Sequence, residues 1–279
     1  MNMLISMNRI LNEASKEGYG IAAPNVFNQD MILAAFEAAD EVKSPLILDC
    51  LGSTDLYAMA ELTRFYCSRF PNVPVALNLD HGKTFEEAVE AIRAGYTSVM
   101  VDRSQLPFEE NVRQTAEIVK MAHAVGVSVE AELGHVGRGI NYDEDRDKGL
   151  TTVEEAVEFV KKTKVDCLAV AIGTAHGRYI GTPRLDFERL ANLKKNIQIP
   201  LVLHGASSTG DENLKKAVET GITKVNISTD LKVAGAEEVK RYFDEEEFHD
   251  LLTLTQRGII GWKNMLKHYM ILFHSNNRI

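Results

Sequence analysis

Along the chain, short apolar runs alternate with longer stretches whose apolar positions recur at helical spacing. The runs Gly20–Phe27, Pro45–Leu51, Pro74–Asp80, Ser98–Arg103, Val127–Gly134, Asp166–Gly173, Pro200–Ala206 and Lys224–Thr229 predict eight strands. Between them, Glu86–Ala94 and Glu154–Val160 predict helices. Each follows a Thr with a Glu three residues later, Thr84/Glu87 and Thr152/Glu155, the pattern of a capping box. Gly95 and Gly221 stand where a helix ends in a left-handed residue. Strands and helices alternate without a Pro- or Ser-rich linker. That predicts an α/β fold of the TIM (β/α)8 barrel type, as one domain over residues 1–279. An open doubly wound sheet is the alternative. Asn2–Lys16, apolar at Leu4, Met7, Ile10 and Leu11, reads as an N-terminal helix over the barrel floor. Ala234–Phe243 and Gly258–Phe273 read as extra C-terminal helices outside the barrel, and Ser275–Ile279 as a frayed end.

Within the strands, the polar residues keep to one parity. Asn78 and Asp80 alternate with Leu77 and Leu79; Ser128, Glu130 and Glu132 alternate with Val129, Ala131 and Leu133; Asn226 and Ser228 alternate with Val225 and Ile227. Successive strand residues face opposite sides, so one parity lines the barrel interior. A barrel built only for stability fills that interior with Val, Ile and Leu. Carboxylates on the inward parity predict a wet, functional cavity at the strand C-termini. Ser128, Glu130 and Asn78 are better read as groups that bond one another.

Composition narrows the setting. Lys plus Arg (31) against Asp plus Glu (40) gives a net charge of −9 with no basic block, which argues against nucleic acid or an anionic membrane as partner. Cys50, Cys67 and Cys167 are widely spaced and cannot all pair, so a disulfide scaffold is excluded and a reducing compartment fits. The first twenty residues lack the unbroken apolar core of a signal peptide, and no apolar run reaches the ~20 residues that span a bilayer. The expectation is a soluble cytoplasmic protein.

Three histidines stand at strand ends, each followed by glycine: His81-Gly82, His176-Gly177 and His204-Gly205. Three imidazoles leave a fourth position open on zinc, the arrangement of a catalytic ion. His123, His135, His249, His268 and His274 lack this context. Asp80, beside His81, is placed to act as general acid or base. Asp102 and Glu132 end their strands and read either as ligands of a second cation position or as a surface ion pair. The loops His204–Ser208 and Asn226–Asp230 offer backbone N–H groups and hydroxyls to an anion, where barrels commonly hold phosphate.

Six segments in order, Leu79–Gly82, Ser98–Asp102, Val127–Gly134, Ala169–Gly177, Pro200–Gly205 and Val225–Asp230, resemble the class II fructose-bisphosphate and tagatose-bisphosphate aldolases. The likeness runs from about Gly20 to Asp230 and more weakly to the end. It implies a lyase of carbohydrate metabolism, of the kind found in glycolysis. Such an enzyme reversibly cleaves a ketose 1,6-bisphosphate to dihydroxyacetone phosphate and an aldehyde such as glyceraldehyde 3-phosphate. It implies Zn2+ on His81, His176 and His204, Asp80 as the proton-transferring residue, and Asp102 and Glu132 at a second or alternative metal position. Gly177, Gly205, Ala206, Ser207, Asn226, Ile227, Ser228 and Thr229 match phosphate-binding positions. A monovalent cation (Na+ or K+) near the phosphate and a homo-oligomer, dimer or tetramer, are further implications. No Schiff-base lysine is needed, and Lys224 and Lys232 read as surface or phosphate-proximal charges.

Four positions depart from the family pattern. The HGGSG loop reads His204-Gly205-Ala206-Ser207-Ser208, Arg103 replaces a common Gly, and Leu51 stands where Ser or Thr is frequent. The Gly-Gly-x-Glu-Asp acid is replaced by Gly137–Asn141, with Asp143, Glu144 and Asp145 displaced along the chain. These leave two alternatives: an aldolase for a ketose 1-phosphate with a non-phosphorylated or acidic aldehyde, and a non-catalytic aldolase-like subunit.

Overall fold

The computed structural model describes residues 3–139, 149–179, 183–247 and 249–279, without the side chain of Arg138. Eight parallel strands follow the order β1 (Ile21–Pro24), β10 (Ile222–Ile227), β9 (Leu201–Leu203), β7 (Cys167–Val170), β5 (Ser128–Leu133), β4 (Ser98–Val101), β3 (Val75–Gly82) and β2 (Leu46–Leu51). The ring closes where Asn25 bridges Asp49 and the Val26 N–H donates to the Asp49 carbonyl at 3.0 Å. A short pair, β6 (Gly137–Arg138) with β8 (Ala175–His176), lies beyond the ends of β5 and β7.

Helices follow the strands around the barrel: α2 (Gln29–Val42), α3 (Leu56–Arg69), α4 (Phe85–Ala94), α5 (Phe108–His123), α6 (Val153–Thr163), α7 (Phe187–Asn196), α8 (Asp211–Thr220) and α9 (Thr229–Glu245). Both expected caps form, with Thr84 accepting from the Glu87 N–H and Thr152 from the Glu155 N–H. Gly95 closes α4 in the left-handed region. The last helix, α10 (Leu251–Leu272), lies against α9. Glycines permit the close approach: a Cβ on Gly261 would meet the Ala234 carbonyl oxygen at 2.4 Å. Among the described residues no helix is long and apolar enough to cross a membrane, and all three cysteines are free and buried.

Two terminal expectations need correction. The first helix, α1, spans Met7–Glu17, starting later than Asn2, because the preceding residues run extended beside β3. There Val75 donates to the Met3 carbonyl and accepts from the Ile5 N–H. The helix does cover the floor: Met7, Ile10, Leu11 and Ala14 pack with the inward Ile21, Ile47, Ala76, Cys167 and Val202. The end Ser275–Ile279 is tied down instead of frayed. Ser275 is buried, Asn277 and Arg278 donate backbone N–H groups to Val42 and Lys43, and Arg278 pairs with Glu17.

Above the apolar floor the interior turns polar, as the parity predicted. Asp49, Asn78, Glu130, His204 and Lys224 are fully buried there, with Asn25, Asp80 and Glu132 nearer the mouth.

Candidate active site at the barrel mouth

Three strands deliver the histidines to one point. The ring centroids of His81 and His204 lie 4.7 Å apart, those of His81 and His176 5.3 Å, and those of His176 and His204 6.0 Å. His81 reaches the group through an irregular strand end. Register slips between Leu79 and Gly82 where β3 pairs with β4, and His81 takes φ 49°. Bulges and left-handed side-chain-bearing residues are costly and concentrate where a side chain must be re-aimed at a site. His176 arrives on β8, and His204 directly follows β9.

Hydrogen bonds set which nitrogen of each ring faces the common point. His176 Nδ1 donates to the Val136 carbonyl at 3.3 Å, and His81 Nδ1 to Asp102 Oδ2 at 3.3 Å, so each turns Nε2 to the site. His204 is reversed: its Nε2 donates to Glu130 Oε1 at 2.8 Å. His204 Nδ1 and Glu132 Oε2 face each other at 3.0 Å, and both are buried atoms without a hydrogen-bond partner. Either a proton on Nδ1 or a cation in its place would satisfy this facing pair, and the three imidazoles have ligand atoms within 4.8 Å of one another. A second set, His81, Asp102 and Glu132, meets the same criterion.

The electrostatics follow from this crowding. Burial and the two neighbouring imidazoles push His176 down to about 4. Burial acts the same way on His204, but the contacts and charge of Glu130 and Glu132 outweigh it and raise the ring to about 10. Asp80, 2% exposed, accepts from Asn25 Nδ2 at 2.8 Å and Asn226 Nδ2 at 3.1 Å. Burial disfavours its charge, yet His81 and Lys224 beside it hold the carboxyl below the usual range.

The two anion-loop candidates flank this point. Gly205 has φ 67°, and a Cβ there would strike the Ala175 carbonyl oxygen at 2.5 Å, so this close approach requires glycine. Ser207 is buried, and its Oγ accepts from the Asp230 N–H. Ser208 holds φ 63° where the family pattern has glycine; its N–H donates to both Asp230 carboxylate oxygens, at 3.0 and 2.8 Å. Ser228 occupies the N-cap position of α9 without a side-chain capping bond, and the helix N-terminus opens at Thr229 beside that loop. Asn226, expected at the phosphate, is engaged with Asp80. Gly177 follows His176 in the left-handed region, and Ala206 and Ile227 are buried.

Several placements differ from the sequence reading. Lys224 is no surface charge: it is 0% exposed, donates to Glu130 Oε2 at 2.9 Å and forms an ion pair with Asp49 Oδ2 at 3.1 Å. Its shared parity with Asn226 was the available signal. Glu130 bonds inside the barrel, as read, but to His204 and Lys224. Arg103 Nη1 donates to the Lys83 and Asp102 carbonyls at 2.8 and 3.1 Å. Asn25 and Tyr179 were missed. The Tyr179 hydroxyl accepts from the Ala175 N–H at 2.6 Å and donates to the Gly205 carbonyl at 2.8 Å, joining the two histidine-bearing segments. Asp143, Glu144, Asp145 and Arg146 lie outside the described residues.

Comparison with known proteins converges on one family. Residues 5–278 match the family described as fructose-bisphosphate aldolase class-II. A fructose-bisphosphate aldolase of Helicobacter pylori is 42% identical, over 99% of this chain and 100% of its own. The crystal structure of the YdjI aldolase from Escherichia coli K12 superposes with a TM-score of 0.87 at 34% identity, covering 99% of both chains. At 24% identity, the fructose-bisphosphate aldolase structure from Campylobacter jejuni shares the fold, with a TM-score of 0.84 over 99% of this chain and 97% of its own. The fold, the match over nearly the whole chain and the mouth of imidazoles and carboxylates lead to one conclusion: this chain belongs to the class II fructose-bisphosphate aldolase family.

Proposed function

We propose that this protein is a zinc-dependent aldolase that reversibly cleaves a ketose 1,6-bisphosphate of the fructose or tagatose type to dihydroxyacetone phosphate and an aldehyde such as glyceraldehyde 3-phosphate. The observation that carries the reading is the convergence of His81, His176 and His204 beside a buried Asp80 carboxylate. The imidazoles would hold the ion through Nε2, Nε2 and Nδ1 respectively, with Asp102 and Glu132 at a second position sharing His81. When bound, a divalent cation there supplies a Lewis acid toward the C2 ketone.

The chain's own groups do the rest. In cleavage, Asp80 takes the proton of the C4 hydroxyl as the C3–C4 bond breaks, and the bonding pair passes toward the ketone side. In condensation Asp80 returns that proton. Asn25 and Asn226 hold its two oxygens, so the carboxylate keeps one orientation through the cycle. Gly177, Gly205, Ala206 and Ser207 with Asn226, Ile227, Ser228 and Thr229 form the phosphate cradle, whose donors are backbone N–H groups, hydroxyls and the start of α9. A monovalent cation (Na+ or K+) near that cradle, a homo-oligomeric dimer or tetramer, and residence in the cytoplasm complete the reading. The three converging imidazoles favour an enzyme over a non-catalytic subunit.

The test is a coupled assay of fructose and tagatose 1,6-bisphosphates with the metal-stripped protein before and after zinc. Cleavage of either one only after zinc supports the reading. No cleavage of either with a full complement of ion contradicts it.

A further inference from the structure

A file of charged groups runs down the barrel axis beneath the imidazoles. Asn78 Nδ2 donates to Asp49 Oδ1 at 2.8 Å, and Lys224 Nζ bridges Asp49 Oδ2 at 3.1 Å to Glu130 Oε2 at 2.9 Å. Glu130 Oε1 accepts from His204 Nε2 at 2.8 Å. Asp49, Asn78, Glu130, His204 and Lys224 are all 0% exposed. Removing these charges from water costs several kcal/mol per ion, and well-packed apolar residues of the same volume would commonly serve stability as well or better. Five adjacent interior positions given to polar groups therefore call for a role beyond packing.

The geometry supplies one. Glu130 has one oxygen on Lys224 and the other on His204, so the ammonium fixes the carboxylate that fixes the ring. A carboxylate on one ring nitrogen settles the tautomer and leaves the other nitrogen as the electron-pair donor. His176 and His81 are held instead through a backbone carbonyl and through Asp102 at the rim. His204 alone among the three is oriented from inside the barrel. We infer that Lys224 is a positioning residue for metal binding: acting through Glu130, it holds His204 with Nε2–H turned down into the barrel and Nδ1 presented to the ion. This rests on the three-histidine reading above.

The experiment measures cobalt(II) affinity by chelator competition, and the visible cobalt spectrum, for the full-length protein, Lys224→Met, Lys224→Arg and His204→Ala. All are checked for fold by circular dichroism. Loss of an outer partner of a metal-bound histidine typically weakens the ion ~10–100-fold. Lys224→Met is expected to fall in that range with an altered cobalt spectrum, and Lys224→Arg to recover much of the affinity. If Lys224→Met does not fold, two charge-free double variants replace it. Lys224→Met with Glu130→Gln keeps an acceptor for Nε2–H, and Lys224→Met with Glu130→Leu removes it; the second should bind at least about tenfold more weakly. Unchanged affinity and spectrum in Lys224→Met, or equal affinity in the two double variants, overturns the inference while leaving the site reading intact. A parent that holds no cobalt, or a His204→Ala that keeps it fully, overturns the three-histidine reading and this inference with it.

Discussion

Asn25 donates its side-chain amide to the Asp80 carboxylate of β3 at 2.8 Å, across the seam where β1 meets β2. Backbone pairing at that seam is thin: Asn25 bridges Asp49, and Val26 donates to the Asp49 carbonyl. One contact therefore both orients the proposed proton carrier and links the first strand to the third. Asn25→Ala should lower kcat while metal content stays at the parental level. An unchanged kcat would show that Asn226 alone is enough to hold Asp80.

Asp80→Asn keeps the size of the side chain and removes its proton-accepting charge. Cleavage should fall by roughly two to four orders of magnitude, the scale of a lost general acid–base group. Metal analysis should still find the ion. Near-parental cleavage would assign the proton to another group.

The metal-stripped protein should show a pH signature at His204. With Glu130 and Glu132 beside it, the ring keeps its proton up to about 10, against an ordinary value of 6.5. In the window between these values the folded chain holds a proton that the unfolded chain has lost. Stability of the stripped form from this group is thus full below about 6.5 and declines as pH rises through about 10. An incoming ion must displace that proton, so metal affinity should rise with pH across the same window, with about one proton released per ion from this site. Calorimetry in buffers of different ionisation enthalpy counts the protons. Zero release near neutral pH would mean His204 is not a ligand.

The Ser208 turn makes a prediction for the phosphate end. Asp230 braces Ser208 in its left-handed conformation, and the Tyr269 hydroxyl of α10 in turn donates to Asp230 Oδ2 at 2.7 Å. Tyr269→Phe should cost about 1.5–3 kcal/mol, the range for a bond to a charged partner. It should also raise KM for a phosphorylated ketose more than it lowers kcat. Equal KM in parent and variant would separate α10 from the phosphate loop.

Much of this was legible in the sequence, for physical reasons. Strand parity is a local property, so Asp80, Glu132 and Asn226 could be assigned to the interior from their neighbours alone. Capping is equally local, and Thr84 and Thr152 cap as expected. What the sequence concealed depends on partners far away along the chain. Lys224 reads as surface because lysine is seldom buried without a partner; its partners Asp49 and Glu130 lie on other strands. Asn25 and Tyr179 sit past strand ends, where alternation gives no facing. The floor helix starts late because Met3 and Ile5 pair with Val75, a contact no helical period registers.

The most direct measurement is exchange of the C3 proton of dihydroxyacetone phosphate with solvent deuterium, which runs half of the reaction without any choice of aldehyde. The zinc-loaded protein should exchange that proton, Asp80→Asn should retain much of the rate, and both the metal-stripped protein and His204→Ala should lose it. Parental exchange in the stripped protein or in His204→Ala would contradict an ion held by His81, His176 and His204.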